Sequence, residues 1–138
     1  MRALPAEILA EKAAAIERHL ARVEARLPKA PDILQAGSDA SDTVILHLWQ
    51  AIQIAIDLAV ATAVRAAEPT PATYAEAFRS LARLDVIPEA LAGRLARAAG
   101  FRNRLVHAYE RLDLELVTVA AREGPADLRA FLACLRDA

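Results

Sequence analysis

The sequence has few of the residues that usually mark a site. Its one cysteine, Cys134, can form no internal disulfide, and with no partner nearby in sequence it reads as a core residue rather than a nucleophile. The three histidines, His19, His47 and His107, stand far apart without an H-E-x-x-H pattern or a cysteine pair, so neither a metal nor another cofactor is expected. No G-x-S-x-G elbow and no glycine-rich phosphate loop occurs, which removes the common hydrolase and nucleotide-binding classes. Aromatic residues make up only 4% of a chain that is 56% hydrophobic, so its apolar mass is Ala, Leu, Ile and Val. That balance favours helices carrying aliphatic stripes, and an all-α fold is expected.

Uninterrupted apolar runs are also missing. Near Met1 the charges of Glu7, Glu11 and Lys12 break any leader-like pattern, and the cytoplasm is the expected compartment. Val44 to Val64 is long enough for a membrane helix, but His47, Gln50, Gln53 and Asp57 interrupt it, so it reads as a buried core helix with no membrane partner. At 138 residues the chain fits one helical domain, residues 1–138, able to bury its own core. A net charge of −1 gives no global sign of nucleic-acid binding. Locally, Arg94, Arg97, Arg102, Arg104 and Arg111 face a single acid, Glu110, between positions 94 and 111. Such a patch can hold phosphate, although a solvated helix face has the same composition.

Spacing and punctuation divide the chain into helices. Leu9, Ala13, Ile16, Leu20, Val23 and Leu27 form one stripe over about Ala6 to Leu27. Pro28, Pro31 and Gly37 end it, and Ser38 or Asp39 can cap a second helix running to about Ala66. On that helix His47, Gln50, Gln53 and Asp57 make one polar stripe, which either faces a cleft or cross-links neighbouring helices. After Pro69-Thr70-Pro71, Thr73 and Glu76 match a capping box for a short third helix, Tyr74 to Leu84. Pro88 suits the first turn of a fourth, in which Gly93 and Gly100 should be compensated by close packing. Asp113 can cap a fifth helix to about Arg122, and Gly124-Pro125 should separate it from a last one, Ala126 to Leu135. The sum is a bundle of five to six helices.

Only His107 stands among groups that make chemical sense together: Arg102, Asn103 and Tyr109. Metal-free RNA cleavage needs a group to take the ribose 2′-OH proton, one to protonate the leaving 5′ oxygen, and cations for the charge growing on phosphorus. Imidazole, with a reference pKa of about 6.5, changes protonation near neutrality, and guanidinium presents a charged fork that matches phosphate. At about 100° per residue, Asn103 and His107 share a helix face, whereas Arg102 lies about 140° from His107. Either the arginine wraps round the helix, or two chains share the site. A symmetric dimer would also supply two histidines, one as base and one as acid. On a continuing helix Tyr109 would lie about 20° from Arg102.

Gly100-Phe101-Arg102-Asn103-Arg104-Leu105-Val106-His107-Ala108-Tyr109, with Leu112-Asp113, resembles the motif block of the HepT-like toxins, a HEPN-domain family. The likeness extends through Gln53 to Ala59, Thr73 to Phe78 with Leu81, Val86-Ile87, and the region of Leu128 and Phe131. It implies a compact up-and-down, homodimeric helical bundle with metal-independent endoribonuclease activity that leaves cyclic phosphate ends. By position, Arg102 and His107 match the catalytic R-x-x-x-x-H pair and Asn103 its polar companion. With RNA as the substrate, Arg97, Arg104 and Arg111 of the local arginine patch are candidate RNA-binding residues. The resemblance further implies an MNT-type nucleotidyltransferase antitoxin as partner, neutralising some members by AMP transfer to the tyrosine at the position of Tyr109. The same tyrosine could instead fill an interface edge as an amphipathic side chain. Two rival readings are a non-catalytic substrate-binding subunit of a two-part nucleotidyltransferase and a plain dimeric scaffold.

Overall fold

The computed structural model describes residues 3–138. Five helices follow one another: α1 (Ala6–Arg26), α2 (Asp39–Arg65), α3 (Tyr74–Arg83), α4 (Glu89–His107) and α5 (Leu114–Asp137), with a 3-10 turn at Tyr109–Arg111. No strand occurs among the described residues. The all-α bundle read from composition and spacing is the observed fold.

Three of the five helices, α2, α3 and α5, start where a side chain takes up free N–H groups, whereas α1 and α4 start after Pro5 and Pro88 without a side-chain cap. Ser38 Oγ accepts from the Ser41 N–H at 3.1 Å, Thr73 Oγ1 from Glu76 at 3.1 Å, and Asp113 Oδ1 from Glu115 at 3.0 Å. Of the α1 stripe, Leu9, Ile16, Leu20 and Val23 are buried, while Ala13 and Leu27 pack at the core's margin. α2 is the hub and touches all four other helices. By length and composition it could cross a membrane, but Val44, Leu48, Ile52, Ala55, Ile56 and Ala59 are buried within the bundle.

The polar stripe on α2 is divided between two roles. His47 Nδ1 lies 2.9 Å from His19 Nδ1 on α1, and Gln53 Nε2 donates to Asp57 Oδ1 at 3.0 Å along the same helix. His47 is thus a cross-link between helices, one of the two readings of the stripe, whereas Asp57 is exposed. Burial first, and then the charge of Arg22, holds the His47 ring below the ordinary histidine value of 6.5. Burial, followed by His47, Arg22 and Arg18, does the same for His19.

Two expectations need correction. The chain does not break at Gly124-Pro125: α5 is one helix with Pro125 inside it. Val117, Ala121, Pro125, Leu128, Leu132 and Leu135 all face the core, so burial on both sides of the proline, and of the proline itself, outweighs the lost N–H and the ring clash of about 3 kcal/mol. Nor are the α4 glycines places of close packing. A Cβ on Gly100 would meet nothing within 4 Å, and one on Gly93 only the end of Arg97, at 3.8 Å.

The connector before α2 is fastened to α5. Arg122 Nη2 donates to the Pro28 and Asp32 carbonyls at 2.8 and 2.6 Å, and the Leu34 N–H donates to Thr118 Oγ1 at 3.0 Å.

Candidate active site

Phe101 and Leu105, one turn apart on α4, are buried and set the rotation of its last turns. Arg102, Asn103 and His107 consequently stand off the core, the arginine half-buried and the other two exposed. Arg102 Nη1 donates to Asn103 Oδ1 at 3.1 Å, and its guanidinium carbon lies 5.5 Å from the ring centroid of Tyr74. Tyr74 opens α3 directly after the Thr73 cap, so its ring stands on a fixed helix start. Arg102 Nε is buried without a hydrogen-bond partner. Within one chain, therefore, Arg102 reaches Asn103 rather than His107, and Asn103 shares His107's helix face at four residues' spacing.

α4 ends at His107. Ala108 leaves helical geometry, with φ −127° and ψ 31°, and Tyr109 opens the 3-10 turn. The projection of Tyr109 beside Arg102 on a continuing helix does not hold. Its hydroxyl instead donates to Asp42 Oδ1 on the first turn of α2, at 2.7 Å. That hydrogen bond, then burial and the carboxylate charge, holds the phenol above its ordinary value of 10.

The arginine patch is less one-sided than its linear count. Arg94 Nε pairs with Asp127 Oδ1 of α5 at 2.9 Å. Arg97 and Arg104 line a groove of about 300 Å³ with Phe101, Leu116, Val119 and Glu123, and the Arg104 guanidinium stands 5.6 Å from the Phe101 ring centroid. Arg111 is exposed in the 3-10 turn. None of Arg102, Asn103 and His107 lines that groove. Linear reading missed Asp42 and Tyr74 as neighbours of the motif. In the sequence Asp42 is one more acid near a helix start, where it suits the helix dipole, and Tyr74 is the residue after a cap.

An all-helical bundle whose fourth helix closes on Arg-x-x-x-x-His, with a tyrosine just past its end, defines a HEPN-type domain. The family described as HepT-like, ribonuclease HepT-like, matches residues 8–135, and the chain belongs to that family of ribonucleases. It is 26% identical over 126 residues to the mRNA nuclease HepT of Shewanella oneidensis, a match covering 91% of this chain and 94% of that protein. Its fold matches a chain from the structure of a tri-AMPylated Shewanella oneidensis HEPN toxin in complex with MNT antitoxin. There the TM-score is 0.85 at 25% identity, over 97% of this chain and 100% of the other. A chain from a toxin–antitoxin structure with AMP-PNP gives a TM-score of 0.87 at 23% identity, covering 96% of this chain and 99% of that one.

Proposed function

We propose that this HepT-like ribonuclease is the toxin of a type II toxin–antitoxin pair that cleaves RNA in the cytoplasm without a metal. The ribose 2′ oxygen attacks the adjacent phosphorus, the bond to the 5′ oxygen breaks, and a cyclic phosphate remains. His107 moves the proton to or from these oxygens, Arg102 binds the phosphate as its charge grows, and Asn103 orients the arginine and the scissile group. The observation that carries this reading is the seating of Arg102. Held by Asn103 and the Tyr74 ring, with an unpaired Nε–H, it is a preorganised cation beside the face that bears His107. Arg97, Arg104 and Arg111 would guide the flanking RNA backbone.

The test is cleavage of RNA in EDTA. His107→Ala should slow it by about a hundredfold or more and Arg102→Ala by about a hundredfold, the usual size of acid–base and charge-stabilising contributions. Activity that returns only with added metal would sink the mechanism.

Two chains would share the work, one histidine as base and the other as acid, in a homodimer with the motif helices facing each other. A mixed dimer carrying His107→Ala in one chain should then lose nearly all activity, whereas retention of half would show that each chain works alone. Neutralisation follows from a nucleotidyltransferase antitoxin of MNT type that transfers AMP to Tyr109. A nucleotide beside His107 adds bulk and negative charge where RNA phosphate must sit.

A further inference from the structure

We propose that the Asp42 carboxylate is the proton acceptor that activates the Tyr109 hydroxyl for nucleotidyl transfer. This role rests on the reading of Tyr109 as the AMP acceptor and gives that acceptor a base from its own chain.

The pair is built from distant parts of the fold. Asp42 stands on the first turn of α2 and Tyr109 in the 3-10 turn after α4, yet the phenolic O–H reaches Oδ1 at 2.7 Å. Both residues are exposed, Tyr109 by half of its surface, so an incoming nucleotide has access to the oxygen. Among the described residues no arginine or lysine forms an ion pair with Asp42, so its charge is free to face the phenol. A protonated phenol is a weak nucleophile, and next to a carboxylate it does not ionise in advance. Its proton must leave as the new bond forms, and Asp42 is the group already within reach.

The Tyr109 oxygen attacks the α-phosphorus of a nucleoside triphosphate brought by the partner nucleotidyltransferase, forming an O–P bond. The bond from that phosphorus to the oxygen bridging the β-phosphate breaks, and pyrophosphate leaves with the electron pair. The phenolic proton passes to Asp42 and from there to water. Afterwards the tyrosyl oxygen has no hydrogen to donate, and a phosphodiester charge stands where a hydrogen bond had been. Attraction between the 3-10 turn and α2 becomes repulsion.

The experiment follows transfer of label from α-labelled ATP by the chain's MNT-type partner, with partner affinity and thermal midpoint measured for each variant. Tyr109→Phe should abolish labelling. If it does not, the acceptor is another residue and the underlying reading fails on its own. Asp42→Asn keeps an oxygen that can accept the hydrogen bond but cannot take the proton. It should slow transfer about a hundredfold at saturating ATP, in the range of a lost general base, with partner affinity within about twofold of wild type. Asp42→Ala should be as slow, and Asp42→Glu should recover at least about tenfold over Asn. Wild-type transfer in Asp42→Asn, or a defect lying in partner affinity instead of rate, would overturn the proposal, since either would make Asp42 a tether or a docking contact.

Discussion

Arg102 is held by its neighbours before any phosphate arrives. A guanidinium over an aromatic face gains about 0.5–1 kcal/mol at an exposed site, and Tyr74, 39% exposed, offers that face from another helix. Tyr74→Leu should therefore lower RNA cleavage about two- to fivefold, the rate equivalent of that energy, while Tyr74→Phe keeps the ring and the activity. A loss as large as that of Arg102→Ala would instead mean that the tyrosine touches the reacting groups. At this scale the sequence was informative about the motif and silent about its supports. Arg102, Asn103, His107 and Tyr109 lie within eight positions, so their types and spacing were visible together. Asp42 and Tyr74 come to them from 67 and 28 positions away, and no local pattern records such a meeting.

Among the helices, periodicity foretold the stripes and capping chemistry foretold the starts of α2, α3 and α5, because both arise within one turn. The ends were harder. Gly124-Pro125 reads as a stop, yet buried side chains on either side carry α5 through it. The end of α4 at His107 has no glycine or proline to announce it. The contact between α1 and α2 adds a titratable joint, since His19 and His47 meet at 2.9 Å and both resist protonation. The unfolded chain binds protons on these rings more readily than the folded one, so stability should fall as pH drops below the ordinary histidine value of 6.5 and level off below the folded values. Thermal midpoints from pH 8 to 5 check this. His47→Gln should flatten the decline, and an unchanged slope would place its cause elsewhere.

Over the whole molecule, the first and last helices are clipped together by Arg129 of α5. It lies 3.2 Å from Glu17 and 2.7 Å from Glu24 on α1. These side chains are 40–47% exposed, so solvent screens the network and its worth is about 1 kcal/mol or less. Arg129→Ala should lower the thermal midpoint by about 2–4 °C at low ionic strength and by less in molar salt. The hydrogen bonds to Arg129 hold Glu24 below its ordinary value of 4.5, so its share of stability is present above that pH and is lost as acid protonates the folded carboxyl. A midpoint shift indifferent to salt would show that Arg129 acts through packing alone. The bundle was legible from aliphatic spacing, but this closure joins positions 105 and 112 apart and was not.

The break between His107 and Tyr109 has a mechanical consequence. Because Tyr109 hangs on a separate short turn, a nucleotide attached there would pull on that turn and not on the spine of α4. Such a silenced chain would be a blocked tool rather than a bent one, loosened at the turn but with the spine of α4 in place.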